Sequence, residues 1–509
     1  MNKLIFYIAI ILSFALNAQH NQKPNVIIIL ADDMGVGDIS AINPDSKIDT
    51  PNIDRLLKNG LHFTDGHSSS SVCTPSRYSL LTGTYSWRTK LKKKVLQGDS
   101  RAMLTSSTTT IAEVFKNSGY KTAMIGKWHL GWDWKTKDNE TLLEDPDNPY
   151  WVTENYSKKI DYSQPFSGGP MDHGFDYFYG INASLDMPPY TFIENNKVET
   201  LPNSKWKGQG KKSDGHEAHQ KFMRGGAAQP GFDPQEVFPA LKNKALEVIS
   251  NTDKSVPFFL YVSLTAPHTP VLPDKDFIGQ SKAGAYGDFI VQIDAAVGNI
   301  LSELEENQIL EHTIIVFTAD NGASKSSFPE EFEDKFDHKP SYRLRGRKGS
   351  LHQGGHTVPF IISWPGMAPK TIDHPVMQND FLRTFADFLK VQIDEDQAVD
   401  SYSLMPLITG NGTYRREASI YNNFGGWLSI RMDDWKMDMT RSFSKSSLYQ
   451  LSSDPSEKKN LYDTKEFKAI KEQLENKLSE IILNGRSTPG DNLKNDGPEI
   501  WNNLFWLKS

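Results

Sequence analysis

Five apolar residues in succession, Val26-Ile27-Ile28-Ile29-Leu30, lie between Pro24 and the acidic pair Asp32-Asp33. The run is largely β-branched, short, and has no polar residue on either alternating face. It therefore reads as a strand buried on both sides, which requires a sheet with a layer above it and a layer below. Residues 313–318 and 258–264 carry the same pattern. Helical and extended patterns alternate between these runs. Residues 109–117 read as a helix closed by Gly119, and residues 121–126 as the strand that follows. Within residues 286–305, Phe289, Ile290, Ile293, Val297, Ile300, Leu301 and Leu304 recur at helical spacing, so one helix face is expected to lie on the sheet. The alternation predicts an α/β fold: a large, mostly parallel sheet flanked by helices.

Residues 132 to about 233 lose this periodicity and gather Asp, Asn, Lys, Gly, Pro and aromatics, as long loops overhanging a site do. Past Gly410 the pattern changes again. Residues 419–423, 428–439 and 448–451 read as short strands and residues 467–483 as an amphipathic helix, which predicts a smaller C-terminal α+β subdomain. The expected layout is 1–18 as a leader, 24–410 as the main α/β domain and 411–509 as the subdomain. Lys3, the apolar stretch 4–16 and Ala18 have the order of a cleavable export signal, and the stretch is too short to span a bilayer. A periplasmic or secreted protein without a membrane span is expected. With a net charge of -7 and no long basic run, nucleic acid is not expected as a partner. Lys92, Lys93 and Lys94 read as a solvated loop.

Five further features carry chemistry. Cys73 is the sole cysteine, so it forms no disulfide within the chain, and it opens Cys73-Thr74-Pro75-Ser76-Arg77. Pro75 suits the first turn of a helix ending at Gly83, which places residue 73 at the helix N-terminus, where an anion is favoured, and Arg77 one turn on. Asp32-Asp33 and Asp320-Asn321 each follow a buried strand. If those strands are neighbours, four oxygen-bearing side chains converge, a set suited to Ca²⁺ or Mg²⁺ rather than zinc. Lys127 and His129 flank Trp128 and would face one side of an extended chain. His268 follows the strand 258–264, and Lys348 sits in a glycine-bearing loop.

In chain order, Ala31-Asp32-Asp33, the Cys73 segment, Gly126-Lys127-Trp128-His129-Leu130-Gly131, Ala266-Pro267-His268-Thr269-Pro270, Ala319-Asp320-Asn321-Gly322, Arg347-Lys348-Gly349 before Gly354-Gly355, and Leu448-Tyr449-Gln450-Leu451 with Asp454-Pro455 resemble the type I, formylglycine-dependent sulfatases over nearly the whole mature chain. The resemblance implies an alkaline-phosphatase-like fold and oxidation of Cys73 to formylglycine (3-oxoalanine) by a formylglycine-generating enzyme. It also implies one cation, usually Ca²⁺, held by Asp32, Asp33, residue 73, Asp320 and Asn321. The hydrated aldehyde would attack sulfur. A histidine matching His129 would take the proton that lets sulfate leave. His268 is the candidate acid for the departing oxygen, with Lys348 sharing that work, and the two histidine roles are exchangeable. Lys127, Lys348 and the metal would neutralise the sulfate oxygens, and Arg77 would orient residue 73. Gln353 stands where many relatives carry Glu, and Thr357 where many carry Arg.

A sulfated carbohydrate is the expected substrate, with Trp132, Trp134, Trp151, Tyr162 and Trp206 as faces for stacking on sugars or, equally, as loop core. Two other readings remain open at this level. One is a phosphate or phosphonate ester hydrolase of the same superfamily, for which His216 and His219 are the candidate extra metal ligands. The other is a sulfated-glycan binder in which Cys73 stays unconverted.

Overall fold

The computed structural model describes residues 23–138, 144–145, 148–152, 158–209, 220–441, 445–497 and 500–508. The leader and the pair His216 and His219 lie outside the described residues. Ten strands form one sheet: β1 (Asn25–Asp32), β2 (Leu61–Phe63), β3 (Lys121–Lys127), β4 (Tyr177–Ile181), β5 (Ile193–Glu194), β6 (Lys197–Val198), β7 (Phe258–Pro267), β8 (Thr313–Ala319), β9 (Phe360–Ser363) and β10 (Lys370–Ile372). Across the sheet they run β10-β2-β9-β8-β1-β7-β3-β4-β5-β6.

The apolar run forms the middle of β1, and all of β1 is buried. Its neighbours β7 and β8 are both parallel to it. The central five, β8-β1-β7-β3-β4, are parallel throughout. The flanks are less uniform than the sequence suggests. β9 pairs antiparallel with β8 and β2, and β5 and β6 return as antiparallel hairpin strands beyond β4. Short connections allow antiparallel return, whereas parallel neighbours need a crossover.

Successive β1 side chains enter opposite layers. Val26, Ile28 and Leu30 join one core with Leu80, Ile111, Phe381 and Phe385, so α2 (Cys73–Thr82), α3 (Ile111–Asn117) and α6 (Asp380–Leu389) cover that face. Ile27 and Ile29 join the other core with Ile53, Leu241, Ile290 and Ile293, from α1 (Pro51–Asn59), α4 (Val237–Ser250) and α5 (Gly284–Glu306). The stripe of residues expected on one face of a helix at 286–305 is this α5 contact. Two packed layers explain why residues 26–31 of β1 are all apolar, and the one polar residue before Asp32, Asn25 at the strand start, is bonded to Thr313 and to the Phe258 N–H.

A separate antiparallel sheet contains β11 (Ser419–Asn422), β12 (Leu428–Met432), β13 (Trp435–Met439) and β14 (Ser447–Gln450), with α7 (Lys468–Leu483) burying Leu474, Leu478, Ile481 and Ile482 against it. Residues 428–439, expected as one strand, are a hairpin. Met432 pairs with Trp435 across a two-residue turn in which Asp433 takes φ +49°. Asp tolerates that left-handed backbone better than most residues do.

Gly126 of β3 is paired with Ser263 of β7. Its φ is +121°, and a Cβ built there would come within 1.8 Å of the Ser263 carbonyl oxygen. Only glycine fits. Gly126→Ala is expected to lower stability to urea by more than about 2 kcal/mol, because either β3 or β7 must move. An unchanged urea midpoint would contradict this packing.

Candidate active site

Four parallel strands end at the same edge of the sheet, and each delivers a site residue there. Asp32 is the last residue of β1 and Lys127 the last of β3. His268 directly follows β7, and Asp320-Asn321 directly follow β8. Open α/β sheets place ligands at this carboxyl edge. Asp33 and His129, each just past a strand end, take φ +70° and +61°. A left-handed backbone at a residue other than glycine costs on the order of 1–3 kcal/mol and persists where the surroundings hold it. The bend at His129 also departs from the extended geometry expected for Lys127 and His129, since β3 stops at Lys127.

The helix α2 brings Cys73 to this edge. Pro75 falls in the first turn, where its missing N–H leaves no intrahelical bond unmade, and Gly83 ends the helix at φ +66°. All ten residues of α2 are buried, including Thr74, Ser76, Arg77, Ser79 and Thr82. Their polar groups have partners. Thr74 Oγ1 donates to the His129 carbonyl (3.0 Å), and Ser79 and Thr82 donate to carbonyls one turn back.

Arg77 locks the helix to the sheet. Its Nε and Nη2 lie 2.8 and 2.7 Å from Asp320 Oδ2, and Nη1 donates to Ser263 Oγ (2.5 Å) and the Lys127 carbonyl (3.2 Å). Asp32 accepts from Lys127 Nζ at 2.8 and 3.0 Å, and Lys127 Nζ also donates to Ser184 Oγ at 2.8 Å. Lys348 Nζ is 2.7 and 2.9 Å from the two Asp33 oxygens and 3.1 Å from Cys73 Sγ. Cys73 Sγ is 3.7 Å from Asp32 Oδ1 and 3.9 Å from Asp33 Oδ1. His268 Nε2 is 3.7 Å from Asp33 Oδ2. Asp32, Asp33, Cys73, Arg77, Lys127, His268, Asp320 and Lys348 therefore meet here, while the His129 ring is buried beside the group rather than bonded into it. Its Nε2 lies 2.9 Å from the Leu96 carbonyl, which assigns Nε2 the proton, and Nδ1 is buried with no partner.

Burial favours the neutral form of each group, and the local charges decide which ones resist. Burial raises the Asp32 carboxyl, yet the nearby positive charge, Lys127 foremost and Arg77 with it, outweighs that and holds Asp32 at about 2. Burial disfavours the Lys348 ammonium, but facing Asp33 keeps it charged well above the ordinary lysine range. For Cys73, burial and then the Asp320 carboxylate push the thiol up, so it remains protonated. Burial and then the Lys127 charge push His129 well down, so its imidazole is neutral.

Three carboxylates, Asp32, Asp33 and Asp320, thus balance three cations, Arg77, Lys127 and Lys348. Asn321 Nδ2 donates to Asp33 Oδ1 (2.7 Å) and to the Gly322 carbonyl (2.9 Å), while Asn321 Oδ1 is buried with no hydrogen-bond partner. An orphaned oxygen among carboxylates fits a hard divalent cation. Such an ion would leave a surplus of two positive charges to receive an anionic ester.

The sequence reading missed Ser184 and Ser263, which hold Lys127 and Arg77. Ser263 was detectable as the polar residue ending the apolar run Phe258-Phe259-Leu260-Tyr261-Val262, whereas Ser184 lies in an irregular loop without a signal. Of the two roles left open for the aromatics, the contacts favour loop core. Trp132 and Trp134 are buried, Trp132 stacks on Phe166 at 4.0 Å, and Tyr162 packs edge-on against Trp134. Trp206 packs against Tyr190 and Phe232, and Trp151 lies under the Lys94 ammonium. These rings are occupied in holding the long loops together. Thr357 Oγ1 and Gln353 Oε1 are 3.4 Å apart and buried, a neutral pair at the two positions where many relatives carry charges.

A cleft of about 1910 Å³ opens onto the site through Val72, His268 and Lys348. The loop segment expected to overhang it contributes Asp186, Met187, Phe222 and Arg224. Among the described residues no helix is long and apolar enough to cross a membrane.

Residues 24–391 match the sulfatase family model, and residues 347–484 match the C-terminal model of N-sulphoglucosamine sulphohydrolase. The chain belongs to the sulfatase family and is a sulfuric ester hydrolase. It is 30% identical over 489 residues to an N-acetylgalactosamine-6-O-sulfatase of Bacteroides thetaiotaomicron, covering 87% of this chain and 91% of that one. It is 28% identical over 488 residues to arylsulfatase A of Homo sapiens, covering 89% and 86%. A solved structure from the metabolism of multiple glycosaminoglycans by Bacteroides thetaiotaomicron superposes with a TM-score of 0.77 at 29% identity, covering 91% of this chain and 99% of that one.

Arg77→Met would leave Asp320 and part of Asp32 buried without compensation. A loss of about 3–5 kcal/mol in urea unfolding at neutral pH is expected. A loss under about 1 kcal/mol would contradict the lock described here.

Proposed function

We propose that this chain is an exported carbohydrate sulfatase whose nucleophile is made from Cys73. The observation that carries this reading is the surroundings of residue 73, at a helix N-terminus between Lys348 and the Asp32-Asp33 pair. A buried thiol held in its protonated form is a poor nucleophile, so conversion of Cys73 by a formylglycine-generating enzyme accounts for a cysteine in this setting. Formylglycine would supply a hydrated aldehyde as the attacking group. Asp32, Asp33, Asp320, Asn321 and residue 73 are the ligands assigned to Ca²⁺, with Mg²⁺ as the alternative, and the ion would supply neutralising charge.

The remaining work falls to the chain's own side chains. Lys127 and Lys348 are preorganised cations that lower the cost of charge on the sulfate oxygens. Arg77 fixes α2 and hence the position of residue 73. His129 is neutral and has a bare Nδ1, which suits it to accept a proton. His268 Nδ1 is 2.6 Å from the Thr269 carbonyl, which leaves Nε2 turned toward the reacting centre and the cleft, where it can protonate the leaving oxygen.

The names of the relatives support a sulfated sugar, and the cleft exceeds the roughly 300–1,000 Å³ of a pocket for one small ligand, as an oligosaccharide requires. The export order of residues 1–18 supports a periplasmic or secreted location, where such glycans are met. The main domain is taken as 24–410 and the subdomain as 411–509.

Cys73→Ala and Cys73→Ser, each produced alongside the converting enzyme, are expected to keep the wild-type melting temperature and to release sulfate at background rate. Substantial sulfate release by either variant would end the assignment of the nucleophile. His268→Ala is expected to impair hydrolysis of a sugar sulfate by about 10²-fold or more while sparing nitrophenyl sulfate, whose leaving group needs little protonation. His129→Ala is expected to slow both substrates alike. The opposite pattern would exchange the two roles.

A further inference from the structure

Resting on the sulfatase reading above, we propose a second anion-binding subsite on the outer wall of the cleft, formed by Arg343 with Tyr342 and by Lys458. It would take a carboxylate or sulfate carried by a sugar neighbouring the one that is desulfated. The substrate class is then a polyanionic oligosaccharide rather than an isolated sulfated sugar.

The charge inventory of the cleft motivates this. Eight lining residues are Lys or Arg against five Asp or Glu, on a chain whose net charge is -7. Four of the five acids are already answered: Asp337 by Lys47, Glu330 by Lys325, Glu333 by Arg347 and Asp186 by Arg224. Lys348 belongs to the reacting centre, and Arg345 Nη1 donates to the Glu457 carbonyl at 2.7 Å. Lys339, Arg343 and Lys458 are exposed, and among the described residues none of the three forms an ion pair with a carboxylate; Arg343 and Lys458 stand on loops that are bonded to each other. Three cations left unanswered in the wall of a substrate cleft, two of them on loops bonded to each other, raise the local concentration of anions.

The wall is also built to hold them in place. Ser456 Oγ donates to the Arg343 carbonyl at 2.7 Å, so with the Arg345 bond the loop bearing Arg343 is tied twice to the loop bearing Lys458. Each loop contains a residue other than glycine in the left-handed region, Tyr342 at φ +54° and Glu457 at φ +51°. Such strain is kept where the surroundings over-determine it, and it gathers at ligand clamps. Glu457 is over-determined here. Its buried carboxylate accepts from Lys436 Nζ and from the Gln353 N–H, both at 2.7 Å. The Arg343 guanidinium lies over the Tyr342 ring at 4.7 Å, a stack that orders the planar fork. A guanidinium fork matches the oxygens of a carboxylate or sulfate, and Lys458 adds a point charge from the loop bonded to it.

The test compares wild type with Arg343→Ala, Lys458→Ala and the double variant on four substrates. These are nitrophenyl sulfate, a sulfated disaccharide carrying a hexuronate, the same disaccharide with its carboxylate reduced to an alcohol, and one with a sulfate in place of that carboxylate. The double variant is expected to lose about tenfold or more in kcat/KM, through KM, on the charged disaccharides, and nothing on nitrophenyl sulfate. Wild type should show a similar loss on the reduced disaccharide, and raising the salt concentration should shrink the difference. The carboxylate and sulfate arms tell which anion is preferred. Equal kcat/KM for charged and reduced disaccharides in wild type would overturn the proposal, as would an unchanged double variant. Calorimetric binding of the desulfated, hexuronate-bearing product reads the same subsite without turnover. Wild-type affinity that the double variant lacks supports the subsite even if nitrophenyl sulfate is not hydrolysed, an outcome that would count against the sulfatase reading alone.

Discussion

A buried balance of charge governs this molecule. Asp32, Asp33 and Asp320 lie in one space with Arg77, Lys127 and Lys348, and each carboxylate is within hydrogen-bonding distance of at least one of the cations. Opposite charges so enclosed gain strongly from each other only because each also costs much to bury alone. The fold supplies the enclosure. Four parallel strands covered on both faces present their charged side chains at their ends, and the carboxyl ends all lie at one edge. The helix α2 closes that edge from the side, held by Arg77 to Asp320 and to the Lys127 carbonyl. Position 73 is then placed by backbone geometry rather than by its own contacts.

That placement links electrostatics to chemistry. The charges that hold the site together also determine its protonation: Asp32 and Lys348 stay ionised, while the Cys73 thiol and the His129 ring stay neutral. A neutral thiol in contact with an ammonium and two carboxylates is an unpromising nucleophile as it stands, which is the ground for proposing that it is converted before it reacts. His268 and Lys348 line the cleft while also contacting Asp33, so the substrate side and the buried side of the site meet at those two residues.

The sequence revealed most clearly what depends on local pattern. The run at 26–30 announced a doubly covered strand because burial on both faces leaves no alternation, and Asp32-Asp33 and Asp320-Asn321 could be paired because parallel neighbours end together. The antiparallel flanks were not legible, since β2, β5, β6 and β10 are two or three residues long and carry little pattern. The hairpin within 428–439 was hidden because its turn, Asp433-Asp434, contains neither glycine nor proline. Ser184, Ser263 and the tie from Arg345 to Glu457, 112 residues away, are tertiary contacts between segments whose approach no local pattern encodes. The aromatics of the long loops were ambiguous for a similar reason: composition reports how many rings are present and says nothing of which bury each other.

The central claim is that residue 73 reacts in a converted form. Mass measurement of the peptide spanning residue 73, taken from enzyme of known specific activity, tests it most directly. Conversion of cysteine to formylglycine lowers the mass by about 18 Da, and the converted fraction is expected to rise in proportion to activity across preparations made with and without the converting enzyme. Full sulfatase activity in a preparation whose residue 73 is entirely unmodified cysteine would contradict the account.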